Sequence, residues 1–314
     1  MKKDERDSGG MKNSKRKSNE IENDEIENNE MENSEIESKK MGSDAMENSE
    51  MRGNEIGSNE TENSETGRFF GAVLLDSPVF DSDQLKSDLL EDWGIEVPDD
   101  EEDGTLVFEI DGRMAVISLM PAPVPNGEAE LYAESNYFWK GAVDAAKEHQ
   151  AHLFVSVLPG EDCNPIAVGK LFVKLASSCL KQENATGIYT AGTVFEPDMY
   201  CAVAEDMKEG EDTYPILDWI YFGLYETEEG LNGYTYGLKA FGKEEIEVVN
   251  SIAPPSELHE FLYNVVSYVL CDDALLKDGE TIGFTEDEYL PITRSASAAL
   301  SGETLKIAFM PKEG

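Results

Sequence analysis

The chain of 314 residues carries 66 Asp and Glu against 25 Lys and Arg, a formal net charge of −41 with His neutral. A surface of that sign repels nucleic acid and anionic membranes and attracts basic partners over a Debye length of roughly 8–10 Å. The charge is not confined to a tail, because residues 1–67 hold 19 acidic and 10 basic side chains and residues 68–314 hold 47 and 15, nets of −9 and −32.

Residues 1–65 divide into blocks of five, such as Ile26-Glu27-Asn28-Asn29-Glu30 and Met46-Glu47-Asn48-Ser49-Glu50, each with one Ile, Met or Thr among polar residues. A five-residue period advances a helix by about 500°, so the apolar residue never builds a stripe. In a strand the odd period throws it onto alternate faces. Without Leu, Val, Pro or aromatic residues the tract cannot offset the entropy of ordering, and residues 1–67 are expected to be a disordered, low-complexity appendage.

The composition changes at Gly67-Arg68. Phe69–Leu75 is a short apolar run that predicts a buried strand. Ser82 or Asp83 is placed to cap a helix carrying Leu85, Leu89, Leu90 and Trp93 and stopped by Gly94. After an acidic loop at Asp99–Asp103, two runs flank Asp111-Gly112, a strong hairpin signal. A Pro-rich loop with Pro121, Pro123 and Pro125 leads to a helix expected from Glu128 to about Gln150, and His152–Leu158 reads as the next strand. Pro165 suits the first turn of a linker helix. Beyond it come a strand at Gly187–Ala191, a helix at Pro197–Met207, a hairpin around Glu226–Gly230 formed by Ile216–Tyr225 and Leu231–Leu238, and a helix at Pro255–Cys271. Late strands are expected at Thr281–Phe284 and Leu305–Met310. This order predicts an α+β domain over residues 68–314, built as duplicated βαββαβ (ferredoxin-like) units at about 68–160 and 185–314 joined by a helix.

The stretches Phe69–Asp76, Asp92–Ile95, Leu119–Pro125, Ala151–Val157, Tyr236–Val248 and Lys277–Phe284 resemble a bacterial family catalogued as a domain of unknown function (number 4261), over roughly residues 68–310. That resemblance brings no catalytic residue with it. The segment Gly237-Leu238-Lys239-Ala240-Phe241-Gly242-Lys243-Glu244-Glu245-Ile246-Glu247 is also similar to one in bacterial relatives of the suppressor-of-fused family, some of which are thought to be immunity proteins of toxin systems.

Little in the chain points to a reaction. His149, His152 and Cys163 form the one grouping of metal-ligand type, but it straddles a helix end and a strand start, where structural histidines are the expected reading. There is no Gly-x-Ser-x-Gly elbow and no Walker A run, so no cofactor is expected. Cys163, Cys179, Cys201 and Cys271 lie far apart, as reduced thiols of a cytoplasmic protein do. No apolar run approaches the roughly 18–20 residues of a membrane span, and no apolar h-region follows Met1–Asp7. The segment Pro121–Trp139 is the candidate interaction surface, with Pro123, Pro125, Glu128, Tyr132, Tyr137 and Trp139 as its residues, since aromatics beside acids suit a basic partner with an exposed anchor. The competing reading makes those rings part of the core. The expected function is a non-enzymatic, immunity-like binding module for a basic protein. A structural or stress-related protein without a dedicated partner, or an enzyme with a site assembled from scattered residues, are the alternatives.

Overall fold

The computed structural model describes residues 66–161, 164–285 and 289–309, and these fall within one compact unit, Ile56–Gly314. The disorder expected of residues 1–67 falls, up to residue 65, outside those described, as does Cys163, whereas Thr66 and Gly67 form a turn whose Gly67 amide donates to the Ala240 carbonyl at 2.8 Å.

Strand β1 (Phe69–Leu75) leads to helix α1 (Ser82–Trp93). Asp81 caps the helix by accepting the Gln84 amide at 2.9 Å, one residue upstream of the expected cap, and Gly94 ends it at φ 66°. A left-handed residue there closes the last carbonyls of the helix, which glycine does without a Cβ penalty. Strands β3 (Thr105–Ile110) and β4 (Arg113–Met120) meet at Asp111 and Gly112, both at positive φ (49° and 76°), as a two-residue hairpin turn requires. Asp103 and Gly104 repeat the device at φ 50° and 75°. The acidic stretch expected as a loop therefore folds back as strand β2 (Glu101–Glu102).

Two short helices, α2 (Glu128–Ala133) and α3 (Ala142–Glu148), replace the single helix expected up to Gln150. The Asn136 carboxamide accepts the amides of Phe138 and Trp139, each at 2.9 Å, and donates to the Val194 carbonyl at 2.7 Å. A side chain bonded to its own backbone competes with the helix ladder. The chain continues through β5 (Ala151–Leu158), α4 (Pro165–Cys179), β6 (Ala185–Thr190), β7 (Thr193–Phe195), α5 (Pro197–Asp206) and the one-turn α6 (Ile216–Trp219). It ends with β8 (Tyr221–Thr227), β9 (Gly230–Tyr236), β10 (Ile246–Ser251), α7 (Pro255–Cys271), β11 (Thr281–Ile282), β12 (Leu290–Ala296) and β13 (Glu303–Ile307).

The fold is mixed α and β with two sheets, of order β2-β3-β4-β5-β1-β6-β7 and β11-β12-β13-β10-β9-β8. The first part has the expected βαββαβ order along the chain but not the ferredoxin-like arrangement. In a ferredoxin-like unit the third strand lies between the first and second, and the fourth lies beyond the first. Here β5 lies between β4 and β1 and is antiparallel to both. Aligned pairs from Met114 with Leu158 to Met120 with His152 hold β5 beside the strand that precedes it, the usual outcome for consecutive strands. The second part does not repeat the first, because β6 and β7 extend the first sheet and β13 returns parallel to β10.

One face of the seven-stranded sheet, with Val73, Leu75, Phe108, Ile117 and Val155, packs on Leu85 and Leu89 of α1 and Phe172 and Leu175 of α4. The same core runs into the second sheet. The Phe241 ring stands 5.1 Å from Phe69 and 4.9 Å from Trp219, and α7 lays Leu258 and Leu262 over Gly233 of β9. Trp219, expected on a strand, is buried in α6. Among the described residues no helix is long and apolar enough to cross a membrane.

Candidate interaction surface

The Pro121–Trp139 segment runs along the other face of the seven-stranded sheet. Pro123, Pro125 and Glu128 remain exposed, and the Glu128 carboxylate accepts the Tyr189 hydroxyl at 3.0 Å. Tyr132 stacks on Tyr189 with centroids 5.8 Å apart, and Trp139 lies against Gly187. Tyr137 leaves the first sheet altogether: its hydroxyl donates to the Phe222 carbonyl of β8 at 2.8 Å. Tyr221 answers by donating to the Ser135 carbonyl at 2.6 Å, and Phe138 and Phe222 both meet the His259 ring edge-on. Three of the six candidate residues thus engage rings or backbone within the fold, and the segment works as a strap between the two sheets.

The histidines support that strap. His149 bonds the Ala146 carbonyl through Nδ1 and accepts the buried Val124 amide at Nε2, 2.8 Å away. This pattern places the ring proton on Nδ1. His152 Nδ1 lies 2.9 Å from the Ala122 carbonyl, and burial, with His149 nearby, holds its pKa below the usual imidazole value. Among the described residues no three His, Cys, Asp or Glu side chains are grouped to hold a metal ion. Burial pushes the Cys201 thiol up to about 11 and raises Cys179 and Cys271 too, the reverse of what a thiolate nucleophile needs.

The acids gather at the β2 end of the first sheet. Glu96, Asp99, Asp100, Glu101, Glu102, Asp103, Glu109 and Asp111 are all exposed, while Arg113 between them is buried. Beside them the second face of the sheet stays open. Phe70, Val107, Met114 and Leu158 are 65%, 53%, 41% and 42% exposed. These four escape a sequence reading because their strands are apolar at both parities and look buried on both sides. The signal that could have found them is Glu109, whose charge marks the outward parity of β3 two residues from Val107.

The six-stranded sheet holds two buried carboxylates. Glu245 accepts from the Thr235 hydroxyl at 2.7 Å and the Gly237 amide at 2.9 Å, and burial pushes it up to about 7. Glu247 binds the Ser297 and Thr304 hydroxyls at 2.5 and 2.8 Å and the Ala299 amide at 2.9 Å, with the Lys306 ammonium 3.2 Å away. Residues 234–308, which contain both, match a family model described as "Domain of unknown function (DUF4261)". Over that stretch the chain is similar to the DUF4261 family. The stretch begins within β9 and ends just after β13, so the resemblance read over residues 68–310 is supported for the part that forms most of the second sheet. No curated protein and no solved structure matches the chain. Within the matched segment both carboxylates tie loops: Glu245 the turn at Gly237–Lys239, Glu247 the loop at Ser297–Ala299.

Proposed function

We propose that the chain is a non-enzymatic, immunity-like binding module that receives a basic protein partner on an acidic surface in the cytoplasm. One observation supports this above the others: eight exposed carboxylates line one end of the first sheet, and of the cations near them Arg113 of β4 is buried and Lys86 of α1 pairs with Asp99 at 3.8 Å, which leaves the other seven without an ion pair among the described residues. Fixed on a folded edge, these charges act together on an approaching cation and speed encounter more than they raise affinity.

The test is affinity purification of the full chain from its native cell at about 0.01 M and about 1 M salt, between which the Debye length shrinks from roughly 30 Å to 3 Å. A stoichiometric basic protein held at low salt and lost at high salt, and rebinding when purified, supports the reading. A partner whose binding ignores salt, or turnover of a small molecule without any partner, overturns it.

A further inference from the structure

The seven-stranded sheet has a second face that is only half covered. At one end Ala129, Ala133, Ala142 and Ala146 of α2 and α3 pack over Ala72 and Leu74. At the other end no described element lies on it. An antiparallel sheet that faces water on one side normally presents polar residues there. This one does not. Strand register puts Val107 opposite Val116, Val116 opposite Ser156 and Ser156 opposite Phe70, so one row across four strands reads Val, Val, Ser, Phe on the open face. The next row reads Glu109, Met114, Leu158. Large contiguous apolar patches rimmed by polar residues mark sites of association.

We propose that this open half-face is the docking surface, and that its occupant is a cationic protein segment carrying aliphatic side chains between its lysines or arginines. The inference rests on the binding function proposed above and gives it a location. The charges around the patch choose the occupant. Glu109 shares a row with Met114, and Glu102 faces the same way through its pairing with Thr105. A shallow, open surface lined by Asp100, Glu101, Glu102, Asp103, Thr105 and Val107 joins the acids to the apolar row. Neither Glu102 nor Glu109 makes an ion pair among the described residues. Arg68, the exposed cation of this face, sits before β1, three strands from β3. A second copy of the chain would bring the same acids against these, and like charges at close range disfavour it. Residues 1–67 are net acidic as a whole, and their basic stretch Lys12–Lys17 has no Val, Leu or Ile between its cations to set on the apolar row.

Two synthetic peptides of equal length and charge test the assignment, one alternating Lys with Val and one alternating Lys with Ser. Each is titrated against the full chain and against the double variant Phe70→Thr, Val107→Thr, whose substitutions are at exposed strand positions and whose fold is checked by circular dichroism. Burial of a few methyl groups predicts that the Lys-Val peptide binds about tenfold tighter at least. That preference disappears in the double variant, and methyl resonances of Val107, Val116 and Leu158 shift on binding to the wild type. Equal, salt-sensitive binding of both peptides without those shifts overturns the docking face while leaving the acidic binding function standing. Absence of salt-sensitive binding by either peptide removes the function as well. A wild-type dimer that the double variant converts to monomer assigns the face to self-association and overturns the proposal.

Discussion

Glu245 and Glu247 stand two residues apart at the start of β10, both buried, and their carboxyl groups are displaced in opposite directions. Burial raises both. At Glu245 it outweighs the Thr235 hydroxyl, the Gly237 and Lys239 amides and the nearby charge of Lys239. At Glu247 the Ser297 and Thr304 hydroxyls and the Ala298 and Ala299 amides together outweigh it, and the pKa falls below the usual value. The number of donors set against the burial decides the sign.

Glu245 makes the protein less stable as pH rises. Its folded pKa of about 7 exceeds its unfolded value of 4.5, so the unfolded chain releases the proton first. The favourable contribution is complete below that unfolded value and is lost up to neutrality, a change on the order of 3 kcal/mol. Glu245→Gln keeps an acceptor for Gly237 and Lys239 and removes the titration. Urea unfolding between pH 4 and pH 8 should show the wild-type loss flattened in the variant. A parallel decline in both proteins assigns the pH dependence to other groups.

Glu247 has the opposite sign. Its stabilisation is present above the ordinary carboxylate range and disappears as acid protonates it. Glu247→Gln leaves Lys306 without its carboxylate beside a buried site, where breaking a pair costs about 3 kcal/mol. Adding Lys306→Met should recover part of that loss. Equal stability of the single and double variants in chemical denaturation would show that the hydroxyl and amide bonds, not the ion pair, carry the contribution.

The strap can be cut without disturbing the core. Tyr137→Phe and Tyr221→Phe each delete one hydroxyl bond between the segment and β8, worth about 1 kcal/mol apiece. Because both bonds restrain the same short stretch, the double variant should lose less than the two single losses combined. Thermal melts of the four proteins measure this, and strict additivity would mean that the strap is held chiefly by its rings.

How much of this was legible in the sequence varies with the kind of element. Helices α4 and α7 could be read because a proline opens each and apolar residues recur at helical spacing over 15 and 17 residues. The Asp111-Gly112 turn announced its hairpin through backbone requirements alone. Strand β10 was hidden because a buried glutamate interrupts its apolar run, and β12 because most of its side chains face solvent. Neither pattern resembles a strand until its partners are in place. The position of β5 between β4 and β1 depends on long-range pairing, which local periodicity does not encode. The candidate surface met the same limit: Tyr132, Tyr137 and Trp139 stood out by composition, whereas the open face of Phe70, Val107, Met114 and Leu158 exists only once register sorts each strand into two sides.

Asp218 provides the sharpest stability test. It lies on α6 with 1% of its surface exposed, and neither carboxylate oxygen has a hydrogen-bond partner among the described residues. Burial, with Asp206 adding to it, raises its pKa well above the usual value, and the Tyr200 hydroxyl is likewise buried with no hydrogen-bond partner among the described residues. A carboxyl group held in that setting resists ionisation, so the folded protein loses stability as pH climbs beyond the unfolded value near 3.8. Asp218→Asn retains the shape and removes the charge. Its advantage over the wild type should be close to zero in acid and should grow steadily with pH, exceeding about 1 kcal/mol by neutrality. Chemical denaturation across that range gives the answer directly. A variant that is less stable than the wild type at pH 8 would show that the ionised carboxylate is stabilised inside the fold.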